Sequence, residues 1–237
     1  MTYAQTVFAD RNSIKRWLQR RRLASAVALN TKPEARLVVD FGAGNGELCK
    51  LLAEAHPQAR ILCYEPTPWL LQEARENLGG VPRMEFCASL AEIEPGCADV
   101  IYCLEVFEHL PEPTIAQTIG ELNLLLHAGS EAIIGVPIET GLPALYKGLF
   151  RMARRFGEHD ARPSHVLRAA LGAPPRERPL ADLAAGVRVH PHHLGFDHRA
   201  LRRALQLQFS LRRESASPFP PLGAALNPEA YFVCSRR

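Results

Sequence analysis

Long apolar runs are missing from this 237-residue chain: none approaches the ~18 consecutive apolar residues that a membrane-crossing helix needs. The opening residues, MTYAQTVFADRNSIKRW, lack the apolar centre of a secretory leader, which points to a cytoplasmic location. The six cysteines (Cys49, Cys63, Cys87, Cys97, Cys103, Cys234) form no C-x-x-C pair, so a zinc ribbon or a dithiol redox motif is excluded. Most lie in apolar runs and read as reduced, buried thiols. Aromatic residues are sparse at 7%, too few for a base-stacking surface, and no internal repeat argues for a solenoid. What is present is a 47% hydrophobic content, enough for one globular domain with a large core.

A net charge of +3 conceals a strong asymmetry, with +6 over residues 1–36, −11 over 37–135 and +8 over 136–237. Such blocks mark partners or fold back on one another. Residues 1–36 read as a basic helical extension in which Ile14, Trp17 and Leu18 share one face and Lys15, Arg16, Arg20, Arg21 and Arg22 dominate the rest. The favoured reading is a docking helix with Trp17 packed on the body. The alternative is contact with phosphates or a membrane surface.

From residue 37 the pattern alternates. RLVVDFG, ARILCYEP, RMEFCAS, DVIYCLE and SEAIIGVPI read as short buried strands. ELCKLLAEAH, WLLQEARENLGG and PTIAQTIGELNLLLHAG read as the helices between them, the second stopped by Gly79–Gly80. Alternation of this kind implies a parallel sheet with helices on both faces. The rhythm breaks at about 138–190, which carries many prolines and arginines and no strong strand. This stretch reads as a helical, Pro-rich lid over the ligand cleft. In LPALYKGLFRMARRFG, Leu145, Leu149, Met152 and Phe156 oppose Lys147, Arg151, Arg154 and Arg155. The apolar side is expected to meet the acceptor and the arginines an anionic head group. DHRALRRALQL is a further helix, and QFSLRRESAS and EAYFVCSR read as two closing antiparallel strands.

At the end of the first strand stands Asp40-x-Gly42-x-Gly44-x-Gly46. Glycines there allow a tight turn and a close ligand approach. A dinucleotide cradle would read G-x-G-x-x-G and place pyrophosphate on the helix N-terminus. Here the third glycine comes one residue early, and Asp40 would repel that pyrophosphate. The acid suits a ligand with a cationic end and no phosphate, as S-adenosylmethionine is. Glu65 ends the second strand 19 residues after Gly46, where a carboxylate can accept both ribose hydroxyls. Ser89 and Leu90, after the third strand, would lie beside the adenine.

In VVDFGAGNGELCKLL, ILCYEPTPWLLQEAREN, CADVIYCLEVFEHLPEP and SEAIIGVPI, taken in this order, the chain resembles class I S-adenosylmethionine-dependent methyltransferases of type 11/12. The likeness covers residues 37–136 well and the end of the chain loosely. It implies a Rossmann-like α/β fold: a seven-stranded, mostly parallel sheet with helices on both faces and a C-terminal antiparallel hairpin strand. That fold would occupy residues 37–237. The resemblance implies cofactor contacts from Asp40, Gly42, Gly44, Gly46, Glu65, Pro66, Ser89, Leu90 and Glu105. S-adenosylmethionine would be consumed and S-adenosylhomocysteine released. Many relatives carry an acid in the third-strand loop for the adenine amine; here the loop reads Ala88-Ser89, so that contact is expected to be either weaker or made by the backbone.

LEVFEHLPEP places Glu105, Glu108 and His109 at the end of the fourth strand, where open parallel sheets gather active-site groups. VHPHHLGFDH adds His190, His192, His193 and His198. This resembles the E-x-x-E-H of ubiquinone-pathway O-methyltransferases, and also small-RNA 2′-O-methyltransferases, whose metal is completed by a later histidine. Two assignments stand. In one, Glu105, Glu108, His109 and one of His190, His192 or His193, with His193 the choice, hold a divalent ion such as Mg²⁺. In the other, His109 with Glu108 acts without metal, taking a proton from an acceptor hydroxyl. A structural role for the imidazoles is the third possibility.

The expected function is methyl transfer to a small or lipid-like acceptor, at a hydroxyl oxygen, by a cytoplasmic protein with peripheral membrane contact through its basic helices. Nucleic acid is not the favoured partner, although the basic flanks keep an RNA 2′-O-methyltransferase in view. A nicotinamide-dependent oxidoreductase and a non-catalytic cofactor-binding module also compete, the first disfavoured by the glycine spacing. The sequence leaves oligomeric state open.

Overall fold

A computed structural model describes residues 13–184 and 186–237. The expected N-terminal helix is present as α1 (Ser13–Val27), and the part of the expected extension at 1–12 lies outside the described residues.

The short β-branched runs become a sheet because both their faces are covered. β1 (Leu37–Phe41) is buried at every position. It lies between β2 (Arg60–Tyr64) and β4 (Ala98–Leu104), parallel to both. β3 (Met84–Cys87) extends the β2 edge and β5 (Leu126–Pro137) the β4 edge, again in parallel. β9 (Glu229–Arg236) runs antiparallel to β5, and β8 (Phe209–Ser217) antiparallel to β9. The order is β3-β2-β1-β4-β5-β9-β8, the seven-stranded mixed sheet expected.

Period-two alternation sends residues to opposite faces. Val38 packs on one side with Leu23 and Ala26 of α1, Leu48 and Leu52 of α2 (Glu47–Ala55), and Leu71 and Leu78 of α3 (Pro68–Leu78). Leu37, Val39 and Phe41 belong to the other side, with Ile119 and Leu122 of α4 (Glu112–Leu125) and Leu201 and Leu205 of α7 (His198–Gln208). The first β-strand therefore points its carboxyl end, with the glycines, at the edge where the order reverses between β1 and β4. In open α/β sheets that crevice is where ligands bind.

α1 does dock on the body, but not through Trp17. Leu23 and Ala26 carry the contact, while Trp17 is half-exposed and Leu18 is also exposed. Trp17 and Leu18 therefore lie off the docking face, which is set by Leu23 and Ala26 about two turns later.

The stretch at 138–190 forms α5 (Gly141–Arg155), α6 (Pro163–Ala170) and a two-stranded ribbon of β6 (Ala181–Ala184) and β7 (Val187–Val189). The sequence predicted no strand there. A short exposed ribbon has no buried face to impose an apolar pattern. α5 and α6 cross closely because Gly148 leaves room for Val166.

The polarity of α5 is opposite to the expectation at most positions, the inward Met152 and the exposed Arg154 and Arg155 excepted. Leu149, Phe150 and Phe156 are 55%, 56% and 74% exposed, whereas Lys147 and Arg151 turn inward. The cause is electrostatic. Glu139 and Asp160 are fully buried, and a buried carboxylate requires a counter-charge. Arg151 meets both, at 2.7 Å and 3.4 Å, Lys147 meets Glu139 at 3.1 Å, and Arg155 meets Asp160 at 2.6 Å. These cations hold Glu139 at about 2 against the effect of its burial. Arg151 is thus not free for an anionic substrate head group, and the apolar side does not line the cleft.

Candidate active site at the strand-order switch

Each glycine of the loop is left-handed, with φ of 76°, 56° and 81° at Gly42, Gly44 and Gly46. Their reasons differ. A Cβ on Gly42 would lie 2.6 Å from Val106 Cγ2, and one on Gly46 would lie 2.5 Å from Leu78 Cδ1. Only at Gly44 would a Cβ meet nothing within 4 Å, so Gly44 is the position that presents bare backbone to the crevice. Gly46→Ala therefore combines φ strain with a core clash and is expected to destabilise by about 2 kcal/mol or more. Gly44→Ala carries only the strain, about 1 kcal/mol. Urea unfolding of the two variants checks this order.

The loop is tied to the second strand. Gly42 and Ala43 N–H groups both donate to the Tyr64 carbonyl at 2.9 Å. Glu65 is 5% exposed, and its two carboxylate oxygens accept separately from the Gly44 N–H (2.9 Å) and the Thr67 N–H (2.8 Å). Each oxygen keeps a further lone pair. Glu65 thus sets the loop and still faces the crevice as an acceptor pair. Pro66 follows it on the surface. The exposed Ser89 caps a short 3₁₀ turn, Leu90–Glu92, by accepting from Ala91 N–H at 3.3 Å, and Leu90 is half-buried beside it.

Asp40 is 2% exposed and accepts a hydrogen bond from the Cys49 thiol at 3.2 Å. Burial, reinforced by the nearby Glu65 charge and offset by that hydrogen bond, lifts its carboxyl to about 7. An acid with a raised folded value holds its proton longer folded than unfolded. Its effect is therefore a loss of stability as pH climbs from about 4 to about 7, and no further change above that.

Glu105, at the end of β4, is a non-glycine residue with φ of 57°, a strained conformation of the kind that collects at functional sites. Its carboxylate meets the Arg22 guanidinium of α1 at 2.8 Å. Burial opposes its charge, but Arg22 and other nearby cations hold it at about 2. Glu229, beside it, is pushed well up by burial and by the Glu105 charge. Arg22 Nε is buried without a partner. A cavity of about 180 Å³ opens here, lined by Leu18, Arg22, Lys147, Pro228 and Glu229.

Three residues on, Glu108 is fully buried and neither of its oxygens has a hydrogen-bond partner. Burial, then the Glu105 charge, raises its carboxyl well above the ordinary range. His109 Nδ1 lies 2.8 Å from the His190 carbonyl. A carbonyl only accepts, so Nδ1 carries the proton and Nε2 presents a lone pair. That Nε2 is 4.0 Å from Glu108 Oε1, and the His109 and His193 rings sit edge-on with centroids 4.8 Å apart. Burial lowers His193 to about 3, which leaves it neutral near pH 7.

Donor atoms of Glu108, His109 and His193 all lie within 4.8 Å of one another. Among the expected metal set, Glu105 stands outside this group, committed to Arg22. His190 turns to the Pro179 carbonyl, and His192 lies 3.6 Å from Asp160. The end of the 138–190 stretch is stapled over the site: Arg178 donates to the Glu108 and His192 carbonyls, and His190 N–H to the His109 carbonyl. Arg22, Arg178, Glu139 and Glu229 are parts of the site that sequence reasoning did not place. Each is an ordinary charged residue in the sequence and gains meaning only from its buried partner.

The sheet order β3-β2-β1-β4-β5-β9-β8 with β9 antiparallel, the glycine turn and the acid after the second strand are the arrangement that the resemblance to class I S-adenosylmethionine-dependent methyltransferases implied. Residues 39–131 match the methyltransferase domain family.

It is 34% identical over 158 residues to a ubiquinone biosynthesis O-methyltransferase of Methylococcus capsulatus, covering 61% of this chain and 65% of that one. It is 29% identical to a malonyl-[acyl-carrier protein] O-methyltransferase of Anoxybacillus flavithermus, over 44% of this chain and 41% of the relative. The match thus spans well under two thirds of that relative. In fold it is similar to the PH0226 protein of Pyrococcus horikoshii, with TM-score 0.64 and 13% identity over the whole of both chains. It is also similar to a Burkholderia thailandensis 1,6-didemethyltoxoflavin-N1-methyltransferase bound to S-adenosylhomocysteine, with TM-score 0.56 and 14% identity over 98% of this chain and 84% of that one.

Proposed function

We propose that the chain binds S-adenosylmethionine along the carboxyl edge of β1, β2 and β4 and transfers its methyl group to the hydroxyl oxygen of a small or lipid-like acceptor. The observation that carries this reading is the acidic frame of the turn. Asp40 and Glu65 put two carboxyl groups at the turn, Glu65 accepting the Gly44 N–H and Asp40 the Cys49 thiol hydrogen. Glu65 would accept from the ribose hydroxyls. Gly44 would lie against the ligand, with Ser89 and Leu90 beside the base. Asp40 and Glu105 would face the cationic amino acid end. Arg22, with its free Nε, supplies a cation for the ligand's carboxylate.

The sulfonium is already an activated leaving group, so the protein's work is to orient the acceptor, exclude water and receive one proton. His109 Nε2 is the base: its tautomer is fixed by the His190 carbonyl, and Glu108, whose carboxyl is raised by burial and by the Glu105 charge, lies 4.0 Å from it. Incubation with methyl-labelled S-adenosylmethionine and a panel of phenols, carboxylic acids and prenylated hydroxy-quinols tests this. Label in a hydroxyl acceptor supports it, and His109→Asn is expected to slow turnover by about 10²-fold or more while cofactor affinity holds.

A second reading of the same cluster is favoured by the orphaned Glu108 carboxylate. Glu108, His109 and His193 would hold a divalent ion, with His109 oriented by the His190 carbonyl in the way metal-bound imidazoles are. One carboxylate and two imidazoles suit a transition ion and fit poorly with Mg²⁺, which prefers oxygen donors. Such an ion would lower the acceptor's pKa as a Lewis acid. Dialysis against a chelator followed by metal add-back separates the two readings.

Cofactor binding should depend on pH. Below about 7 a cationic ligand must displace the proton on Asp40, so affinity for S-adenosylhomocysteine should fall from about pH 8 to about pH 6. Calorimetry on the protein and on Asp40→Asn, which should bind weakly and without that slope, checks the sign.

A further inference from the structure

α5 presents a continuous apolar stripe to solvent. Leu142, Leu145, Tyr146, Leu149 and Phe150 follow the 3-and-4 spacing of one helical face, Phe156 stands just past the helix end, and the six are 37% to 74% exposed. The helix has 15 residues, so the stripe runs for about 22 Å. It does not end with the helix. The Tyr146 hydroxyl lies 3.5 Å from the Leu226 carbonyl, and Leu222 and Leu226 are about half exposed beside it. An apolar surface of this extent on a domain marks an interaction site.

Charge selects the occupant. Arg154 lies over the Phe150 ring at 5.2 Å, and Arg162 donates to the Gly157 carbonyl next to Phe156. Both are exposed, and neither has a carboxylate partner among the described residues, whereas the acids nearby are taken: Asp160 by Arg155 and Arg151, and Glu158 by Arg155. A stripe of leucine and aromatic side chains edged by uncompensated arginines is the composition of a helix that lies in a membrane interface. A second copy is disfavoured. A second copy brings no free acid to these arginines, since Asp160 and Glu158 beside the stripe are already paired.

We propose that the outward face of α5, with Leu222 and Leu226 beside it and Arg154 and Arg162 at its edge, seats the protein on an anionic lipid surface. The opposite side of the same helix carries Lys147, which lines the cavity at Arg22 and Glu229. A lipophilic acceptor dissolved in that surface would therefore reach the mouth of the site one helix diameter away. That last consequence rests on the methyltransferase reading; the docking surface itself does not.

Co-sedimentation of the full chain with phosphatidylcholine vesicles, with and without phosphatidylglycerol, tests the proposal. The chain is expected to sediment with the anionic vesicles and much less with the neutral ones, and added salt should weaken the binding. The double variant Leu149→Glu/Phe150→Glu should lose at least about tenfold in binding. Arg154→Glu/Arg162→Glu should lose several-fold on anionic vesicles only. All four positions are exposed, so both variants should melt like the parent and keep the same thermal shift with S-adenosylhomocysteine. An intact shift in a parent that does not sediment fails the surface alone; a parent that sediments without any shift fails the cofactor reading alone. The proposal is overturned by no sedimentation with either vesicle or by equal binding to both. It is also overturned by equal binding of Leu149→Glu/Phe150→Glu, or by a parent dimer which that variant dissolves.

Discussion

Replacing Glu65 should cost the chain its cofactor: Glu65→Ala is expected to weaken S-adenosylhomocysteine by about 100-fold or more. The two oxygens of this carboxylate do two jobs. They receive the Gly44 and Thr67 N–H groups, and they keep the lone pairs that would take the ribose hydroxyls. Hydrogen bonds to a charged group contribute about 1.5–3 kcal/mol each, so losing a pair reaches about 100-fold. The same variant leaves two N–H groups unpaired, so its melting temperature should drop as well. Glu65→Gln separates the effects. One amide oxygen can still hold one N–H group, so stability should recover in part, while the acceptor pair is gone and affinity should stay low. Calorimetry at a temperature where both variants are folded gives the answer. An affinity within about twofold of the parent in both would remove the ribose from this strand end.

Glu139→Ala should be among the most destabilising single changes in the protein, by about 3–5 kcal/mol. Glu139 is fully buried and receives Lys147 and Arg151, neither of which is more than 18% exposed. Removal of the carboxylate leaves two cations in the interior, with Asp160 to satisfy only Arg151. The contrast is Glu158→Ala, whose carboxylate is half exposed and should change stability by at most about 0.5 kcal/mol. Urea midpoints of the two variants test the difference. The double variant Glu139→Ala/Arg151→Ala should recover part of the loss, since it removes one of the stranded charges.

Glu139 also marks where the sequence stops speaking. Strands β1 to β5 were legible because buried parallel strands are continuous apolar runs, and the glycine turn was legible because its spacing is incompatible with a dinucleotide cradle. The direction in which α5 faces was not. Its amphipathic pattern has two sides, and sequence offers no way to know that the charged side would be drawn inward by Glu139 and Asp160. Trp17 misled for a related reason: a large aromatic residue draws attention, while the docking face of α1 is made by Leu23 and Ala26. The candidate site divides in the same way. Asp40, Gly44, Glu65, Glu108 and His109 could be found from spacing at strand ends. Of the later histidines only His193 joins them, because His190 and His192 are taken up by Pro179 and Asp160, partners far from them in sequence.

An acidic, phosphate-averse turn that selects a cationic nucleoside is the central claim. Isothermal titration of the intact chain with S-adenosylhomocysteine and, separately, with NADH tests that claim most directly. Saturable binding of the sulfur compound with no heat from the dinucleotide is the predicted result. Tight binding of NADH with no response to S-adenosylhomocysteine would contradict it.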